Sequence, residues 1–222
     1  MSTLLTIIVS NAQAVPNNIF FFQQPAQYVG GPIVYSNSLY STSLAPQASG
    51  AQAVFQSNLQ FYAGVQQASA GIPAIGAASG YTSAAQPISL TTSGATTANS
   101  TSMIASPLSL SVPGYTAGVQ PGSFRIITPV YSSPPNYFNV GSATLSNGLI
   151  VLSNFVLGQP NQNTDCQPIL KYYVALGNYT SGQVMNFTQS SVTAALCDFT
   201  TGFTQAQVTL NSNGTWSSPI MN

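Results

Sequence analysis

Apolar residues recur along this chain in short runs with a period of two, broken by Gly, Pro and Asn, and nowhere sustain a helical period between caps. The clearest alternation places Leu170, Tyr172, Val174 and Leu176 on one face and Lys171, Tyr173 and Ala175 on the other. The pattern predicts strands over 19–22, 33–35, 54–62, 88–92, 108–112, 124–131, 149–157, 169–176, 183–187 and 206–210. Turn signals punctuate them at Gly30-Gly31-Pro32, Pro113-Gly114, Pro121-Gly122, Pro134-Pro135, Asn147-Gly148 and Asn213-Gly214. Residues 64–106, rich in Ala, Gly, Ser and Thr, stay undecided between short strands with long loops, a helical turn near Ala63–Ala70, and an inserted loop. Many short strands separated by turns predict an all-β fold, an Ig-like β-sandwich over residues 15–222, in one elaborated domain or two merged ones.

Residues 1–14 form a separate element. They carry no Gly, Pro or charge, and as an extended strand they project Leu5, Ile7 and Val9 to one side and Leu4 and Ile8 to the other. Both faces want cover, and an exposed strand of this kind is an aggregation hazard. We expect it to insert into a neighbouring subunit and complete that subunit's sheet, burying five aliphatic side chains for about 7 to 15 kcal/mol before ordering costs. An ordinary first strand paired within its own chain carries nearly equal weight. Ala12-Gln13-Ala14 also resembles a secretory cleavage site, but no positive region precedes the apolar stretch; an upstream signal already removed is the preferred reading. The apolar run is too short to span a bilayer, which takes about 20 residues.

Charge changes the picture. Among 222 residues there are two basic side chains, Arg125 and Lys171, two acidic ones, Asp165 and Asp198, and no histidine. At 44% hydrophobic, with 11 Tyr and 11 Phe, the chain can bury a core, so disorder is excluded as a reading of the whole. Neutral Ser, Thr, Asn and Gln carry the surface instead. Such a surface suits either a structural polymer or an acidic extracellular setting, where carboxylates would be protonated and the stability they give lost. Zero net charge favours association over dispersal.

Two basic residues make no nucleic-acid footprint, and the lack of His removes Ser-His-Asp and Cys-His catalysis. Cys166 and Cys197 read as one disulfide contributing roughly 3 to 4 kcal/mol in an oxidising compartment, against the alternative of two buried thiols. Two sulfurs without His leave a metal ligand set incomplete. A disulfide would bring Asp165 and Asp198 near each other and near Lys171, either as a local ion pair or as the acid pair of a hydrolase. Asn99, Asn178, Asn186 and Asn213 head Asn-x-Ser/Thr sequences, a number that chance alone supplies in a chain this rich in Asn, Ser and Thr. N-linked glycans at these sites would solubilise an uncharged surface, with Asn178 and Asn213 in the more turn-like contexts.

Taken together, the apolar segment Thr3–Val9, the nearly uncharged β-rich body, the sequons and the late cysteine pair resemble the thread pilins of Sulfolobus-type thermoacidophilic archaea. The resemblance spans the layout of the whole chain and rests on no short motif. It implies a pilin-like β-sandwich with no cofactor, assembled outside the cell into a helical homopolymer of glycosylated identical subunits. Leu4, Leu5, Ile7, Ile8 and Val9 would then be donor side chains, and the four sequon asparagines glycan acceptors. Three classes of function follow: an adhesive surface filament touching other cells or their surface glycans, a secreted or surface-layer binding module with the first strand paired in its own chain, and a hydrolase using Asp165 and Asp198.

Overall fold

The computed structural model describes residues 3–31, 33–146 and 149–222. Pro32 and the Asn147-Gly148 turn signal, like Met1 and Ser2, lie outside the described residues. Among the described residues the fold is all-β, with four sheets. In the first, strand β1 (Leu4–Asn11) lies between β18 (Gln205–Leu210) and β6 (Ala53–Asn58), with β19 (Ile220–Met221) outside β18. The second runs β17 (Ala195–Asp198), β15 (Lys171–Leu176), β2 (Asn17–Gln23) and β5 (Tyr40–Leu44). The third has six strands in the order β16 (Val184–Met185), β4 (Tyr35–Asn37), β13 (Leu149–Leu157), β12 (Phe138–Ser146), β7 (Tyr62–Ala68) and β8 (Gly80–Pro87). The fourth is β10 (Leu108–Leu110), β9 (Ser100–Ala105), β11 (Phe124–Ile127), β14 (Asn163–Gln167) and β3 (Gln27–Val29).

These sheets pack in pairs. Leu5, Ile7, Val9, Phe55 and Val208 of the first sheet meet Ile19, Phe21, Tyr172 and Val174 of the second in one apolar core. Ala63, Val65, Phe138 and Val140 of the third meet Met103, Phe124 and Ile126 of the fourth in another. Val151 of the third sheet reaches the first core, and Ser57 and Thr144 share a buried 3.0 Å hydrogen bond between the two sheet pairs.

The run Phe20-Phe21-Phe22 shows why so many aromatics fit. Because side chains alternate across a strand, Phe21 enters the first core and stacks on Phe55 at 4.8 Å, while Phe20 and Phe22 point the opposite way. There they pack with Ala175, Met185 and Tyr173 beneath the six-residue helix α1 (Phe187–Val192). The second sheet is therefore covered on both faces. This modifies the alternation expected for β15: Tyr172 and Val174 share a face, Ala175 is buried on the other, and Leu176 is exposed beyond the core's edge.

Where the pattern was undecided, strand wins. No helical turn forms at 63–70; β7 occupies it, with Gly64 admitting Ala143 and Leu152 so closely that an added Cβ would lie 2.7 Å from the Ala143 Cβ. The strand predicted over 54–62 divides into β6 and β7, which belong to different sheets, and that predicted over 88–92 is loop, the ladder ending at Pro87. Neutral polarity also runs inside. Buried Asn37 donates to Ser79 Oγ, Ser79 to Gln66 Oε1, and Asn139 to the same Gln66 oxygen, each at 2.9 Å.

Candidate functional site

Strand β1 is the candidate site. It runs antiparallel to β6, pairing Ile8 with Val54, and parallel to β18, pairing Ile8 with Gln207. Its inward residues Leu5, Ile7 and Val9 are 3%, 1% and 0% exposed, whereas Leu4 is 40% exposed and Ile8 half-buried on the outer face. Cover is thus complete on one side only, which lowers the apolar contribution expected of five side chains to that of three, about 5 to 9 kcal/mol. Within one chain the strand completes its own sheet, and the neighbour's groove expected from sequence is here the groove between β18 and β6.

What fastens the strand is local. Asn11, fully buried, donates from Nδ2 to the carbonyls of Val15 at 2.9 Å and Leu44 at 3.0 Å, and its Oδ1 accepts from the Gln13 amide. This folds residues 12–16 into a tight hinge before β2 begins at Asn17. Extended, those five residues would reach roughly 17 Å. Trp216 bridges Leu210 and packs half-buried against the same core, so it supports the β18 side of the groove.

The four charged side chains are all paired across strands. Arg125 and Asp165 stand directly opposite on β11 and β14, in a bidentate contact of 2.6 Å at Nε and 2.8 Å at Nη2. Lys171 and Asp198 stand opposite on β15 and β17 at 3.0 Å. The two acids therefore lie in different sheets, each with its own cation. The bond to the Asp165 carboxylate raises Arg125 above its ordinary range, against a smaller opposing effect of burial. Burial would raise the Asp198 carboxyl, but hydrogen bonds from Thr200 and the Lys171 ammonium outweigh it and hold it below its usual value. The stability this lends is present above the ordinary carboxylate range and lost as pH falls through the lowered value.

The cysteines correct the expected disulfide. Cys166 on β14 belongs to the second core and Cys197 on β17 to the first; both are buried free thiols, separated because their strands enter different sheet pairs. Burial pushes each up to about 12. At pH 8 only about one thiol in ten thousand would then be ionised, so neither should react with a disulfide reagent in the native protein. Two thiols are expected to titrate once concentrated guanidinium chloride unfolds the chain without reductant; none titrating there would restore the disulfide.

The sequons divide by burial. Asn178 and Asn213 are exposed, the latter accepting from the amide and, at 2.7 Å, the hydroxyl of its own Thr215. Asn186 is half-buried and caps α1 by accepting from the Gln189 amide. Asn99 is 1% exposed and hydrogen-bonded through both side-chain atoms, so in the folded chain it is no acceptor for a glycan. Sequence reasoning set Asn178 and Asn213 ahead for their turn-like contexts but kept Asn99 among the acceptors, because burial leaves no mark on an Asn-x-Ser/Thr pattern.

Among the described residues no group of three or more His, Cys, Asp or Glu is placed to hold a metal ion, and no helix is long and apolar enough to cross a membrane. Compared with models of known families, with curated proteins and with solved structures, the chain matches none.

Proposed function

We propose that this chain is a non-catalytic structural subunit of an extracellular, pilus-like thread, as its likeness to archaeal thread pilins suggests. Copies would join head to tail by exchanging β1. The observation that carries this reading is the placement of β1: a strand lying between two strands that do not otherwise pair, seated by three apolar side chains and joined to β2 by one short hinge. Such a strand can be supplied by another copy in the same register, so closed monomer and open polymer would use identical contacts. An uncharged surface, with every charge already spent on an ion pair, favours side-by-side packing. Glycans at exposed Asn178 and Asn213 would keep the assembly soluble, and contact with cells or their surfaces would be its role.

A second reading rests on the pairing seen within one chain: a secreted or surface-layer binding module that keeps β1 to itself. The two separate cleanly in an Ile8→Cys/Val54→Cys variant, because these outer-face residues are register partners. Oxidation after incubation at high protein concentration should give a covalent ladder of multimers on a non-reducing gel if β1 is exchanged. Cross-linked monomer alone, at every concentration, would sink the filament and leave the module.

A further inference from the structure

Between the loop before β9 and the loop after β10 lies a polar hollow of about 310 Å³, near the lower end of the range of about 300 to 1,000 Å³ usual for small-molecule pockets. Its lining includes Thr91, Thr92, Thr96, Asn99, Tyr115 and Val119. The walls are pinned. Asn99 Nδ2 donates to Thr91 Oγ1 at 3.0 Å and to the Thr116 carbonyl at 3.2 Å, while its Oδ1 accepts from the Thr116 amide at 2.9 Å. Ser100 and Thr116 share a 2.7 Å hydroxyl contact behind them, and the Thr91 amide donates to the Ser123 carbonyl. Asn99, unavailable to a glycan of its own, thus ties two loops into one preformed cavity.

Inside this frame, Thr92 and Thr96 are exposed on one loop, and Tyr115, 54% exposed, stands on the other. No formal charge is free at the rim. Arg125 touches the wall, but its Nη2 donates to the Gly118 carbonyl at 3.1 Å and its guanidinium is neutralised by Asp165. An ion entering the hollow would lose hydration and gain no countercharge. The exposed hydroxyls of Thr92, Thr96 and Tyr115 both give and take hydrogen bonds, which suits a ligand made of hydroxyls, and the Tyr115 ring offers an apolar face.

We propose that this hollow is a binding site for a neutral saccharide, one or two sugar residues in size. The site is built by loops beside the fourth sheet, with no residue of β1 in its lining, and its occupancy does not depend on strand exchange. If the chain forms threads, the site repeats once per subunit, and weak single contacts sum to firm attachment.

Saturation-transfer NMR on the full-length protein tests this with cellobiose, mannobiose and glucose 6-phosphate as probes. Saturation of at least one neutral disaccharide is expected, with affinity falling on the order of tenfold in Tyr115→Ala and in Thr96→Val. The same affinity should persist in Thr42→Val, which alters a different polar hollow beside Asn178. Tyr115 and Thr96 are exposed, so both variants should keep the fold, checked by an unchanged melting temperature. Three results overturn the proposal: no saturation of either disaccharide, binding unchanged in Tyr115→Ala and Thr96→Val, or glucose 6-phosphate binding as well as the neutral sugars. None of them bears on the cysteine ladder.

Discussion

A chain lacking residues 1–11 is expected to lose cooperative thermal unfolding at room temperature and to regain it when a synthetic peptide of residues 3–11 is added in excess. The size of the effect follows from burial. Leu5, Ile7 and Val9, each at most 3% exposed, contribute about 1.5 to 3 kcal/mol apiece. Their sum approaches the whole stability of an ordinary domain, about 5 to 15 kcal/mol. Removing the strand also bares the ladder groups of β6 and β18, between which it lies. Should the truncated chain prove insoluble, a protease site placed in the 12–16 hinge lets the strand be cut after folding and exchanged against labelled peptide. Cooperative melting of the truncated chain without peptide, or a cut strand that never exchanges, would show that β1 is neither essential nor replaceable.

Removing the Arg125 side chain is the second large effect. Asp165 is 5% exposed and receives both guanidinium contacts, so Arg125→Met strands a carboxylate in the protein interior. Breaking such a pair typically costs about 3 to 5 kcal/mol; the Arg125 side chain keeps 15% of its surface, which admits some water and points to the lower end. The double variant Arg125→Met/Asp165→Leu should recover most of that loss, since two apolar groups need no partner. Lys171→Met is the internal contrast. Its pair with Asp198 is about a third exposed on both sides, and water screens it to about 1 kcal/mol or less. Urea denaturation midpoints at neutral pH read all three; similar losses for Arg125→Met and Lys171→Met would mean that burial does not distinguish the two pairs.

The contrast between these pairs shows how far pattern alone reaches. Lys171 and Asp198 were legible as neighbours of predicted strand and cysteine, yet their contact arises from the register of β15 against β17 and not from a disulfide. Arg125 gave no sign of its partner, because β14 is a five-residue strand of mostly polar residues, Asn163–Gln167, which carries little hydrophobic signal. The same weakness left β9 undecided and gave β5 no strand signal, since their Ser and Thr residues carry little apolar pattern. Strand β12 was missed for another reason: Gly141 and small side chains interrupt its apolar alternation, and a register shift falls between Ser142 and Ala143.

The order of residues alone determined three things about this protein: an all-β fold, the in-and-out alternation of Leu5, Ile7 and Val9 against Leu4 and Ile8, and a side-chain inventory of four charges and no histidine. Each is a property of composition or of a period of two, and neither needs a distant partner to be read. Tertiary structure decided the rest. It set β1 between β6 and β18, sent Cys166 and Cys197 into separate cores, gave each acid its own cation, buried Asn99 and left Asn178 and Asn213 exposed. All of these depend on which strands pair across long stretches of chain, and backbone hydrogen bonds that build a ladder are the same whatever side chains they join.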